Sequence, residues 1–245
     1  MTASGKTAVV IGATGALGAG VVRALAADSM QVVAIARNAA RLEALCQATG
    51  AKPIAADATD DAVAARVLRE WQPDLLVMCA GASPVLAPLQ SHTWETFSLN
   101  WEMDTKATFV WLRQALLLPM KPGGHIVVFS SGAAIQGSPL SGGYAGAKRT
   151  QWFLTKYAAL EAEREKIDLR IQCVLPMLSR NGLGIPAMHA YAERAGIPLA
   201  EFAKRMGPPL TPEVAGQAIL DLHQQPAKWN QVAYVLGGNG LSSAP

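Results

Sequence analysis

The chain has 245 residues, 51% of them hydrophobic and 16% charged, with a net charge of +3. That length gives a full core to one large α/β domain, and so small a charge argues against a nucleic-acid or acidic-membrane partner. No apolar run is long enough to span a bilayer, and the low charged fraction predicts much buried surface, as in an oligomer.

Lys6 to Ile11 (KTAVVI) is predicted as a buried parallel strand, reached within a few residues of Met1 and with no secretory leader before it. It runs into Gly12, Ala13, Thr14, Gly15, Ala16, Leu17 and Gly18, then a helix through about Ala27. Gly12 permits the tight turn, Gly15 lets backbone approach a phosphate, and Gly18 lets helix and strand pack closely. The first N–H groups of the helix point at the anion. Thr14, Ala16 and Leu17 complete this candidate dinucleotide loop; the alternative is a glycine-rich turn without a ligand.

Gln31 to Ala36 is the second strand. Dinucleotide sites carry an acidic residue near its end, on the adenosine ribose. Here Arg37 and Asn38 follow instead. Without the carboxylate a 2′-phosphate is not repelled, and Arg37 supplies the matching cation. The expectation is NADP(H) over NAD(H); the alternative is a solvated loop arginine. Asn38 to Thr49 reads as a helix ended by Gly50, and Lys52 to Ala56 as the third strand. Asp57, with Ala58 beside it, stands at a carboxyl strand end, where an adenine binds. A helix N-cap is the alternative for Asp57.

Asp74 to Cys79 is the fourth strand, ending in Ala80 and Gly81, small enough for a cofactor to lie against. Trp94 to Leu118 reads as one long helix, with Asn100 a polar residue among apolar neighbours. After Pro122, Gly123 and Gly124, the run Ile126 to Phe129 is the fifth strand and ends in Ser130 and Ser131. Tyr144 then opens a helix continuing to about Lys166, with Lys148 one turn on, so the two share a face. A free phenol is a poor acid, with a pKa near ~10; a nearby ammonium favours the phenolate. Tyr144 is thus a candidate proton donor, Lys148 the cation that tunes it, and Ser131 a hydroxyl for a carbonyl oxygen. The bare pair also reads as a packed helical Tyr beside a surface Lys.

Leu169 to Leu175 is the sixth strand, stopped by Pro176. Residues 177–210 show no strand pattern and read as a lid with short helices, bearing Leu178, Arg180, Asn181, Leu183, Ile185, Met188, His189, Tyr191 and Arg194. Thr211 caps a final helix to Gln224. Gln231 to Leu236 is the seventh strand, followed by Gly237 and Gly238. The fold class is therefore α/β: a Rossmann-type doubly wound parallel sheet of about seven strands, one domain over residues 1–245. The three cysteines and four histidines lack metal-ligand spacing, so no metal is expected and a reduced cytoplasm is. His125, at a strand start, is assigned a structural role.

In order along nearly the whole chain, these landmarks resemble the short-chain dehydrogenase/reductase family. Gly12, Gly15 and Gly18 resemble its cofactor glycines, Asp57 its adenine-binding aspartate, and Ala80 and Gly81 the end of its Asn-Asn-Ala-Gly motif. Asn100, Ser131, Tyr144 and Lys148 fall where the family carries its catalytic tetrad. Pro176 resembles the proline after the sixth strand, and Leu178 lies beside it. The chain departs at Ala16, at Met78 and Cys79 in place of two asparagines, and at Met177 in place of a glycine.

The resemblance implies an NADP(H)-dependent oxidoreductase that reduces a small carbonyl compound to an alcohol, reversibly. Tyr144 is then the acid, Lys148 also holds the nicotinamide ribose, and Asn100 holds a water that feeds protons to Lys148. It implies a homodimer or homotetramer built through the helices starting near Trp94 and Tyr144. The departures motivate an alternative, a non-catalytic NADP(H)-binding sensor or scaffold. The glycine spacing motivates another, an epimerase or dehydratase of nucleotide sugars, against which stands the short C-terminal part.

Overall fold

In the computed structural model, which describes residues 5–118, 120–179 and 184–245, the chain begins with a strand that has no wet face. β1 (Thr7–Ile11) sends Ala8 and Val10 to one side and Val9 and Ile11 to the other, all fully buried, because side chains alternate along a strand. Such a strand needs helices on both faces. β2 (Gln31–Ala36), β3 (Lys52–Ala55), β4 (Leu75–Met78), β5 (Gly124–Phe129), β6 (Leu169–Pro176) and β7 (Ala233–Gly237) extend the sheet in parallel. β8 (Gly240–Ser243) closes one edge antiparallel to β7. The spatial order is β3-β2-β1-β4-β5-β6-β7-β8. Strand succession reverses between β1 and β4, which opens a crevice at the carboxyl ends of the strands.

The helices are α1 (Ala16–Ala27), α2 (Ala39–Thr49), α3 (Asp61–Trp71), α4 (Trp94–Asn100), α5 (Lys106–Leu117), α6 (Ala133–Gln136), α7 (Gly142–Arg164), α8 (Gly184–Arg194), α9 (Leu199–Arg205) and α10 (Pro212–Gln224). α1, α2 and α10 bury their apolar sides on one face of the sheet. α3, α5 and α7 cover the other, with Trp111 at the centre of that layer. Close helix contact is bought with small residues: a Cβ on Gly20 of α1 would lie 2.0 Å from the Pro212 carbonyl oxygen of α10. α2 starts at an Asn38 cap whose side chain accepts from the Arg41 N–H, and stops at Gly50 with φ 74°. The Thr211 hydroxyl accepts from the Val214 N–H to cap α10.

Three features differ from the sequence reading. The long helix from Trp94 is broken: a π turn, Trp101–Thr105, separates α4 from α5. The sheet has eight strands, because the chain turns at Gly238-Asn239 and pairs back as β8. The loop after β5 holds the short helix α6. The histidine at the start of β5 is fully buried: His125 Nε2 meets Gln172 Oε1 at 2.9 Å and Nδ1 meets Arg170 at 2.9 Å, with the His223 ring stacked 5.7 Å away. Among the described residues no helix is long and apolar enough to cross a membrane, and no three His, Cys, Asp or Glu side chains are placed to hold a metal ion.

Candidate active site

The carboxyl ends of β1 to β6 line a cleft of about 930 Å³. At one end lies the turn after β1. Gly12 sits at φ 79°, where an L side chain is strained, and a Cβ there would fall 2.5 Å from the Ala80 backbone nitrogen. A Cβ on Gly18 would fall 2.3 Å from the Gly12 carbonyl oxygen. Gly12 and Gly18 therefore stay without side chains, and α1, with Gly15 as its N-cap, has no side-chain cap. Its free N–H groups open on the cleft, ready for an anion.

Gly12, Thr14, Gly15, Ala16, Leu17, Gly18, Arg37, Asn38, Asp57, Ala58, Ala80 and Gly81 all line this cleft, as do Ser131, Tyr144, Lys148, Pro176 and Leu178. Arg37 is exposed at the end of β2. Arg41, which the sequence reading did not single out, joins it and donates to the Thr14 carbonyl at 2.8 Å. Asp57 accepts from the Thr59 N–H at 2.8 Å and the Thr59 hydroxyl at 2.9 Å. That backbone bond, against a burial penalty, holds its carboxyl below the ordinary range, with Arg37 assisting. The N-cap of α3 is Asp60 rather than Asp57.

The second half of the site is built by β5 and α7. Ser130 turns its hydroxyl onto the Lys148 carbonyl at 2.7 Å, which fixes α7 to the strand end. Ser131 Oγ accepts from the Ala133 N–H at 3.2 Å, and its own proton stays free to point into the cleft. The first turn of α7 lies close against α4: a Cβ on Gly143 would be 1.8 Å from the Phe97 carbonyl oxygen. Tyr144 follows, and Lys148 Nζ lies 5.4 Å from the centre of its ring.

Lys148 is buried and paired with a carboxylate the sequence reading missed. Asp104, fully buried in the π turn, places Oδ2 3.0 Å from Lys148 Nζ. Its Oδ1 accepts from the Ala82 N–H at 2.7 Å. Burial works against charge on Lys148, but Asp104, with Tyr144 assisting, holds the ammonium above its usual range. Asn100 does not line the cleft. It is buried behind Asp104, where its Nδ2 donates to the Ala82 carbonyl at 2.9 Å and to Asp104 Oδ2 at 3.3 Å. The wider π turn adds a residue to the helical repeat, so the face offered to Lys148 is that of Asp104. The sequence signal was faint: Asp104 is one of two acids in the run WEMDTK, and nothing there marks it as the buried one.

Cys79 lines the cleft beside Ala80. Burial, opposed in part by Lys148, raises its thiol pKa, and pushes that of Cys173 up to about 12. Both are therefore neutral. Beyond Tyr144 the cleft is lined by Pro84, Leu86, Met177, Ala187 and Phe202, with Arg194 exposed at its rim. Tyr191 of α8 shares a hydrogen bond with the Ser138 hydroxyl, to which Ser141 also donates at 2.6 Å. Arg180, Asn181 and Leu183 of the expected lid lie outside the described residues.

A glycine turn and a Tyr–Lys pair thus share one cleft at a topological switch point. Residues 6–183 match the short chain dehydrogenase family. The chain belongs to the short-chain dehydrogenases/reductases. It is 29% identical to a 12alpha-hydroxysteroid dehydrogenase of Clostridium sp., over 81% of this chain and 84% of that one. It is also 29% identical to the human L-xylulose reductase, over 74% and 75%. Among solved structures, levodione reductase superposes with a TM-score of 0.83 at 19% identity, covering 96% of this chain and 97% of that chain, a likeness of fold. As a short-chain dehydrogenase/reductase this protein is an oxidoreductase of alcohol and carbonyl groups with a nicotinamide cofactor. Its residues fit such a group: the glycine turn and the uncapped α1 N-terminus leave backbone donors where a pyrophosphate needs them.

Proposed function

We propose that this chain is an NADP(H)-dependent carbonyl reductase, reversible as an alcohol dehydrogenase, with Tyr144 as the general acid. The observation that carries the reading is the Tyr144–Lys148 pair in the same cleft as the glycine turn and Ser131. The turn from Gly12 to Gly18 would hold the pyrophosphate, Asp57 and Ala58 the adenine end, and Arg37 with Arg41 the 2′-phosphate. Ala80, Gly81, Pro176 and Leu178 would flank the nicotinamide half, and Lys148 its ribose. When bound, the reduced nicotinamide supplies a hydride to the carbonyl carbon.

The protein's own part is to orient and to protonate. Ser131 donates to the substrate oxygen and polarises it. Tyr144 gives its proton to the same oxygen as negative charge develops there, and Lys148 steadies the phenolate left behind. Asn100 supports this from the second row, by holding Asp104 and the Ala82 carbonyl. The helices α8 and α9 would form the substrate lid, and the Tyr191–Ser138 bond ties α8 to the loop before Tyr144. The apolar lining suits an apolar or alicyclic carbonyl compound, buried on its carbon side and held at its oxygen. The exposed stripe Phe153, Tyr157 and Leu160 on α7, with Phe109 on α5, supports a homo-oligomer. Three free cysteines suit a reducing compartment such as the cytoplasm.

The test is oxidation of NADPH with a panel of alicyclic ketones, aldehydes and ketoacyl compounds. The expected result is turnover on at least one class, faster with NADPH than with NADH. Tight NADPH binding with no turnover on any class would favour the non-catalytic sensor instead.

A further inference from the structure

The buried carboxylate beside Lys148 sets the proton inventory of the site. A carboxylate with no exposure survives only with a partner and filled hydrogen bonds. Asp104 has both: Lys148 Nζ at 3.0 Å, the Ala82 N–H at 2.7 Å and Asn100 Nδ2 at 3.3 Å. Room for the pair is kept by Gly81, where a Cβ would lie 3.2 Å from Asp104 Oδ2 and 3.4 Å from Lys148 Nζ. The titratable groups that face Lys148 come from every neighbouring element: Asp104 from the π turn, Tyr144 from its own helix, Cys79 from the end of β4 and Cys173 from β6. The two thiols are neutral, so Asp104 is the one negative charge facing the pair among these groups.

We infer that Asp104 is a positioning residue of the site: its carboxylate anchors the Lys148 ammonium and keeps the Tyr144–Lys148 pair loaded with its full complement of protons to higher pH. The inference rests on Tyr144 being the proton donor. Reduction uses the pair with its proton in place, and alcohol oxidation uses it one proton short. The overall equilibrium is untouched; what moves is the pH at which each direction runs. The sign is independent of which member of the pair yields first. Removing a negative charge makes the first proton easier to lose from the phenol or from the ammonium, because the two titrate as a coupled unit.

The experiment uses the full chain without substrate or cofactor. Phenolate absorbance, taken as the difference from a matched Tyr144→Phe protein, follows one member of the pair. Amine-directed labelling of Lys148, quantified by mass spectrometry against pH, follows the other. In Asp104→Asn the lower of the two midpoints is expected to fall by about one pH unit or more. Asp104→Glu, which keeps the charge, is expected to stay within a few tenths of wild type. Should Asp104→Asn not fold, Asp104→Ser carries the same expectation, since its hydroxyl still accepts from the Ala82 N–H. The inference is overturned if neither midpoint falls, or if Asp104→Glu moves as far as Asp104→Asn. Both readouts are independent of turnover, so this failure and a failure of Tyr144 as the acid are told apart.

Discussion

At the scale of single residues, the account assigns work to side chains by what faces them. Arg37 faces the cleft with no acid at the end of β2 to offset it. Arg37→Ala is expected to raise the KM for NADPH about ten- to hundred-fold while leaving that for NADH within a factor of about two, as loss of a charge-assisted hydrogen bond predicts; steady-state kinetics with both cofactors check it. Equal losses for both would remove Arg37 from 2′-phosphate recognition. Most of the cleft residues were legible because their signal is local: a glycine at a tight turn, a hydroxyl at a strand end, a Tyr and a Lys one turn apart. Asp104 was not, because its partner is distant in sequence and a carboxylate in WEMDTK carries no mark of being buried. Asn100 was drawn to the site by the family pattern, and the π turn, which no Gly or Pro announces, sets it one row back.

At the scale of elements, the strands were legible because continuous apolar, β-branched runs permit little else, and the boundaries shifted only by a residue or two. β8 escaped notice because its sequence, Gly240 to Ser243, is short, polar and half exposed. The Gly238-Asn239 pair before it is a hairpin signal that the reading passed over. Helix packing yields a prediction of reversed sign. Gly20 lies inside α1, where alanine intrinsically stabilises a helix by about 1 kcal/mol. Here the added methyl would meet the Pro212 carbonyl at 2.0 Å, and overpacking of that kind costs about 1–3 kcal/mol. Gly20→Ala is therefore expected to lower the chemical-denaturation midpoint; a rise would show that α1 and α10 are less tightly set.

At the scale of the whole molecule, acid sensitivity and assembly follow from groups far from the cleft. His125 is held well below the ordinary histidine range by burial, with Arg170 and His223 adding to it. His223 is lowered to about 4, first by burial and then by Lys6 and Arg170. Both are neutral when folded and take up protons when unfolded, so stability is complete above about pH 6.5 and declines as the pH falls from there toward 4. The carboxylates Asp57 and Asp74, whose pKa values are lowered from 3.8, act only below that window. Thermal midpoints measured from pH 7 downward should show the decline, and His223→Gln should flatten part of it. Assembly is tested by Phe153→Glu with Leu160→Glu, which place charges on the exposed stripe of α7; light scattering should show a smaller species with unchanged circular dichroism. The central claim, that Tyr144 delivers the proton, is tested most directly by Tyr144→Phe, with NADPH binding followed by fluorescence and turnover by absorbance on one active ketone. The account predicts unchanged NADPH affinity and a rate lower by about 10²–10⁴-fold; turnover at the wild-type rate would contradict it.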